Sequence, residues 1–181
     1  MTDDKLLRLC WRLVKLLDKT ADDTLPQAIA DVVKLHSKLA VGSAWIPVPG
    51  ADVAAGAATI WGMYIRINNK LGLPFGENII KSIGSGVATN LASYLAVSAL
   101  GSALKLIPGI GTIGGAIVMS ASLYGVTLAS GYVYLKALCA LAEKDGKNIS
   151  EDSLKDAVDN VMKNKDEIKG IIKEAKSEYK K

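Results

Sequence analysis

The chain has 181 residues, a net charge of +4 at pH 7, and side chains that are half apolar. That length suits one domain with a sizeable core, and the weak, scattered positive charge excludes the dense basic face that nucleic-acid binding needs. One Phe against 17 glycines points to helices packed closely over small residues, not to a core of large rings. Two cysteines, Cys10 and Cys139, are too few and too far apart for a disulfide framework or a zinc pattern, and both read as buried free thiols.

Charge divides the chain into three. Residues 1–38 hold seven basic and six acidic side chains, residues 39–135 four and two, and residues 136–181 eleven and ten. Near-balanced ends therefore flank an almost uncharged middle. The reading is a single all-α domain over 1–181: an amphipathic segment 1–38, an apolar Gly/Ala-rich core 39–138 built on a central helical hairpin, and a charged helical tail 139–181. The acidic start Met1-Thr2-Asp3-Asp4 lacks the basic opening and apolar run of a secretory signal, so the expected location is cytoplasmic, free or membrane-bound.

In chain order, residues 3–19 form the first helix. Lys5, Arg8, Arg12, Lys15 and Lys19 recur at spacings of three and four and make one cationic stripe opposite Leu6, Leu9, Leu13, Leu16 and Leu17. Such a helix can lie at an anionic lipid surface with the stripe toward the headgroups. An ordinary helix docked on its own domain shows the same pattern, and is the commoner case. After the turn Ala21-Asp22-Asp23-Thr24, Pro26 sits just inside a second helix that runs to about Gly42. His36 is the lone histidine and, with no second His or Cys nearby, reads as structural and not as a ligand.

The run Ile46-Pro47-Val48-Pro49-Gly50 forbids a continuous helix. Asp52 then starts the next helix, 51–71, as a cap or first-turn acid using free amide donors; its alternative is a functional carboxylate in an apolar setting. Ala54, Ala58 and Gly62 repeat every fourth residue, a stripe of small side chains that lets another helix approach. Leu73-Pro74-Phe75-Gly76-Glu77 is a second break. From Ile83 to Leu104, and again from Leu106 to Leu135, no charge occurs. Between those stretches Ile107-Pro108-Gly109-Ile110-Gly111 breaks the helix again, so the pattern predicts a hairpin 83–104/112–135. Ile46-Pro47 with Gly50 matches Ile107-Pro108 with Gly111 at a constant offset of 61, which suggests a duplicated αα-hairpin.

Both arms of the hairpin reach the roughly 20 apolar residues that a membrane span needs. Gly111 and Gly115 form a GxxxG pair suited to close helix contact, and Lys81 and Lys136 bracket the hairpin as cytoplasmic-side flanks. A helix apolar all round is also the central helix of a soluble bundle, so the pattern leaves lipid and protein core as alternatives. In the tail, Ile149, Ser150 and Leu154 have the spacing of a hydrophobic staple around a Ser N-cap, with Glu151 and Asp152 at the positive end of the helix.

No catalytic parts are visible. Gly109-Ile110-Gly111-Thr112-Ile113-Gly114 fits G-x-G-x-x-G, but Pro108 precedes it and no acid follows until Glu143, so it is not read as a dinucleotide site. No phosphate-binding G-x-x-x-x-G-K-[ST], no nucleophile elbow and no metal-ligand helix occurs. The expectation is a protein without enzymatic activity, cofactor or metal.

The two proline-glycine signatures are fairly specific in combination. Ile46-Pro47-Val48-Pro49-Gly50-Ala51-Asp52, then Tyr64-Ile65-Arg66, then Leu106-Ile107-Pro108-Gly109-Ile110-Gly111-Thr112-Ile113-Gly114-Gly115 and Tyr124-Gly125 together resemble the bacterial domain of unknown function 697, over about residues 38–138. The resemblance implies a helical, membrane-associated domain with no assigned activity, found behind Era-like GTPases or in inner-membrane proteins. Here no GTPase domain precedes it, so a GTPase partner would act in trans. Pro47, Pro49, Gly50, Asp52, Pro108, Gly109 and Gly111 would then shape the two helix breaks. The leading expectation is a non-enzymatic membrane-binding or scaffold module on the cytoplasmic side of the inner membrane. A soluble homo-oligomer burying the hairpin between protomers, located in the cytoplasm, is the alternative, and a pore-forming toxin or effector ranks third.

Overall fold

The structure, a computed structural model, describes residues 2–17, 23–43, 51–96, 111–146 and 149–179. Among them are seven helices and no strands: α1 Thr2–Leu16, α2 Leu25–Ser43, α3 Ala51–Leu71, α4 Glu77–Ala96, α5 Gly111–Asp145, α6 Glu151–Met162 and α7 Lys165–Tyr179. Helices α2 to α5 form an up-down-up-down four-helix bundle. In it α2 packs on α3, α3 on α4, α4 on α5 and α5 back on α2. α5 has 35 residues and at 1.5 Å per residue is about 52 Å long. Helices α1, α6 and α7 also pack on it, so it is the spine of the whole domain.

Local chemistry accounts for the element ends. α3 stops at Gly72, which takes φ 61°, a conformation costly for any residue with a Cβ. The amide of Gly72 donates to Asn69 O at 3.3 Å and that of Leu73 to Asn68 O at 3.1 Å, the paired bonds of a Schellman motif, with Pro74 beyond to prevent continuation. Ser150 caps α6 by accepting from the Ser153 amide at 3.3 Å, and Ile149 and Leu154 are both buried, as the staple predicts. Asn164 caps α7: the Glu167 amide donates to Asn164 Oδ1 at 3.3 Å, and Asn164 Nδ2 donates back to Glu167 Oε2 at 2.9 Å.

The predicted helix limits need two corrections. α4 begins at Glu77, not near Ile83, and α5 continues ten residues beyond Leu135 to Asp145. Lys136 therefore lies inside a helix and is no membrane flank. Its Nζ donates to both Glu167 oxygens at 2.7 and 2.6 Å, while the Tyr132 hydroxyl donates to the same carboxylate at 3.1 Å. Glu167 thus fixes α7 on α5.

The bundle holds a polar centre. The Tyr64 hydroxyl donates to Ser130 O at 2.9 Å and that of Tyr134 to Asn68 Oδ1 at 3.0 Å. Both pairs link α3 to α5 with a separation of 66 residues, so these helices run parallel and in register. Two further contacts set the helix spacing. A Cβ on Gly84 would lie 2.7 Å from Trp61 Cβ, and one on Gly131 2.6 Å from Val33 Cγ1; α3–α4 and α2–α5 meet at these glycines.

Candidate membrane-facing end

The ends of α2 and α4 and the starts of α3 and α5 meet at one end of the bundle. Ala40 clusters there with Met119 and Leu123, and Gly56, Ala57 and Ala88 line a small space with Leu123. Charge is absent from α3 between Asp52, in its first turn at this end, and Arg66, from α4 after Lys81, from α5 before Lys136, and from α2 after Lys38. On α3 and α4 this uncharged zone is about 20 Å deep at 1.5 Å per residue.

The surface of this end is apolar. Leu39 is 54 % exposed, Ile117 50 %, Leu35 45 % and Val118 41 %. Single exposed leucines are ordinary on a protein; among the described residues Leu39, Ile117 and Val118, with exposed Ala54 and Ala58, are the exposed apolar side chains of the end itself, while Leu35 lies farther from it, between Lys34 and Lys38. Polar side chains there turn inward on their own helices. Thr89 donates to Ser85 O at 2.9 Å, Asn90 to Gly86 O at 3.0 Å, and Ser93 to Asn90 O at 3.1 Å, all on the exposed face of α4. Thr59 on α3, Ser43 on α2 and Ser122 on α5 do the same. A hydroxyl bonded to a carbonyl of its own helix needs less from solvent, the arrangement that lets Ser and Thr sit in an apolar medium.

Below this zone comes a basic level. Lys81 lies 5.3 Å from the Trp61 ring centroid, a cation–π contact, and exposed Arg66 and Lys70 stand on the outer face of α3, with exposed Lys38 nearer the end on α2.

The predicted site residues are placed as follows. Pro47, Pro49, Gly50, Pro108, Gly109 and Lys19 lie outside the described residues. Asp52 falls in the first turn of α3, and Gly111 and Gly115 in the opening turns of α5. Ala54 and Ala58 are exposed, so they do not seat another helix, and Gly62 approaches His36, a Cβ there standing 4.0 Å from Nε2. Among the glycines described, the close approaches are those of Gly84, Gly125 and Gly131. On α1, Lys5 pairs with Glu174 at 2.8 Å and Arg12 pairs with Glu143, while Leu6, Leu9, Cys10 and Leu13 are buried. α1 is docked on its own domain, and of its described cations only Arg8 and Lys15 face outward without a pairing inside the fold shown here.

His36 is buried, with Nδ1 2.8 Å from Val32 O; burial holds its pKa below the ordinary imidazole value. Cys10 and Cys139 are buried free thiols, both pushed up to about 12 by burial, and so are poor nucleophiles. No cluster of three or more His, Cys, Asp or Glu suited to a metal occurs among the described residues.

Helix α5 decides how the apolar middle is to be read. Its stretch Ile117–Asp145 is long and apolar enough to cross a membrane by length and composition, but 83 % of its most apolar window is buried against the rest of the chain. That is the position of a core helix, so most of the predicted hairpin's second arm is protein interior.

Over 107 residues the chain is 31 % identical to a protein of Magnetospirillum gryphiswaldense described as magnetosome membrane protein 22, covering 59 % of this chain and 55 % of the relative. The chain thus spans about half the length of that curated relative. No family model matches the chain, and no solved structure matches it.

Proposed function

We propose that this chain is a non-enzymatic, membrane-associated helical module that sinks its uncharged end into one leaflet, on the cytoplasmic side of the inner membrane. One observation carries the reading: exposed Leu39, Ile117 and Val118 stand at an end whose polar side chains are already bonded to their own helices. On α3 and α4 the uncharged depth of about 20 Å exceeds one leaflet's hydrocarbon and falls short of the full core of roughly 30 Å, while α5 is uncharged for longer, over residues 111–135. The bundle therefore dips in and does not span, with Trp61, Lys81, Arg66 and Lys70 at headgroup level, where aromatic and basic side chains concentrate. The sequence resemblance to a helical, membrane-associated domain supports the same class of role, and with it a GTPase partner in trans. Flotation of the purified protein with liposomes tests the reading. Ile117→Asp with Val118→Asp changes only exposed positions, so the variant should keep its helical circular dichroism and lose flotation; flotation equal to wild type would sink the proposal.

The burial of α5 favours a second reading, a soluble homo-oligomer that covers the same patch with another copy. It predicts a defined oligomer without detergent that the same double variant dissociates, and no flotation of the wild type.

A further inference from the structure

A groove of about 560 Å³ runs between the outer faces of α2 and α3. Asp31, Val32 and Leu35 line it from α2, and Arg66, Asn69 and Lys70 from α3. It is graded along its length. α2 runs toward the uncharged end, so Asp31 lies one turn farther from that end than Leu35, and Leu39 continues the wall one turn nearer, with exposed Lys38 next to it. α3 runs the other way, placing exposed Ala58 toward the uncharged end and Arg66 and Lys70 away from it. Neither Arg66 nor Lys70 makes an ion pair among the described residues. Asp31 accepts one hydrogen bond, from Gln27 Nε2 at 2.8 Å, and makes no ion pair among the described residues.

The groove thus offers two cations beside one anion, with an apolar track leading from them in one direction. A phosphate alone would use the cations and be repelled by Asp31; a hydrocarbon alone would leave all three charges idle. A phospholipid with an ethanolamine headgroup uses every part. Resting on the membrane reading above, we propose that this groove seats one such lipid, its phosphate between Arg66 and Lys70, its ammonium on the Asp31 carboxylate, and its acyl chain along Leu35 and Leu39 toward the uncharged end. The polarity of the groove then runs with that of the leaflet. Arginine and lysine suit the phosphate, and a primary ammonium supplies N–H donors to Asp31 that a choline headgroup lacks.

The test is binding of the full chain to vesicles of pure phosphatidylcholine, and to vesicles with phosphatidylethanolamine or phosphatidylglycerol as the second lipid. Wild type should prefer the ethanolamine vesicles over both others. Asp31→Asn should bring the ratio of ethanolamine to choline binding close to one while leaving choline binding unchanged. Arg66→Gln with Lys70→Gln should weaken binding to all three by about fivefold to tenfold. All these positions are solvent-facing, and unchanged thermal melts show that the variants fold. An ethanolamine preference that survives Asp31→Asn, or a stronger preference of wild type for phosphatidylglycerol, overturns the lipid assignment while the membrane reading stands. Competition by soluble phosphoethanolamine at low millimolar concentration overturns it too, since the apolar track would then contribute nothing. Wild type that binds none of the vesicles overturns both, and a soluble partner takes the surface.

Discussion

Tyr64 and Tyr134 stack in the middle of the bundle, their ring centroids 4.1 Å apart and their planes 10° from parallel. The stack joins α3 to α5 where both are fully enclosed, and each hydroxyl reaches a different acceptor. The two acceptors are not equivalent. Ser130 O is a helix carbonyl, whereas the Asn68 side chain is buried and receives its bond from Tyr134. Tyr64→Phe should therefore cost about 1 kcal/mol, and Tyr134→Phe about 2 kcal/mol, because it strands a buried amide oxygen. Urea unfolding of the two variants measures the difference, and equal losses would refute the distinction.

Gly84 and Gly131 set the helix spacing, so enlarging either should be felt across the bundle. A Cβ at Gly84 meets Trp61 backbone as well as its side chain, at 2.9 Å from Cα, and backbone cannot rotate away. At Gly131 the obstacle is the end of the Val33 side chain, which has other rotamers. Gly84→Ala should destabilise by about 2 kcal/mol through overpacking and Gly131→Ala by less, read from thermal melts. A stabilising Gly84→Ala would show that α3 and α4 separate freely.

Ser120 runs against the pattern. It is 2 % exposed, and its Oγ has no hydrogen-bond partner, unlike the other buried side-chain polar atoms described. Ser120→Ala removes an unpaired hydroxyl and improves helix propensity, so it should stabilise by about 1 kcal/mol. A lowered melting temperature would mean that the hydroxyl is satisfied in solution.

His36 gives the fold a dependence on pH. Burial lowers its pKa, so the unfolded chain binds the proton more readily than the folded one. Stability is then complete above the ordinary imidazole value of about 6.5 and falls as pH drops through that value toward the lowered one. His36→Gln should flatten the loss between pH 7.5 and 5.5 in urea titrations. An unchanged slope would assign the pH dependence to carboxylates.

Much of this architecture is legible in the residues, and the reasons for success and failure differ. Helix 51–71 is read correctly because both of its limits are local: Pro49 and Gly50 before it, Gly72 and Pro74 after it. The Ser150 cap is local as well. The end of α5 is not, since Lys136 ends a charge-free run yet is neutralised by Glu167 from a helix 31 residues away. The small-residue contacts were sought in repeats such as Ala54-Ala58-Gly62, whereas packing uses single glycines opposite a bulky partner, Gly84 against Trp61 and Gly131 against Val33. Sequence shows the small residue but not what faces it. The apolar patch presents the same difficulty. Leu35 and Leu39 look like core residues on a helical pattern, and only the placement of α3 leaves them outside. Of the groove charges, Asp31 comes from α2 and Arg66 and Lys70 from α3, and they converge only in the fold.

The docking of α1 has a consequence for the order of events during synthesis. Its leucine face is covered by α2 and α5, and its Lys5 by Glu174 of α7. On the ribosome α2 follows α1 at once, but the α5 side of the apolar stripe must wait while α3 and α4 are made. Contacts between such distant parts of a chain form late and slowly, and uncovered apolar faces at that stage invite aggregation or capture. A nascent chain arrested before α5 should therefore carry a first helix covered on the α2 side alone, more open to protease than in the finished domain.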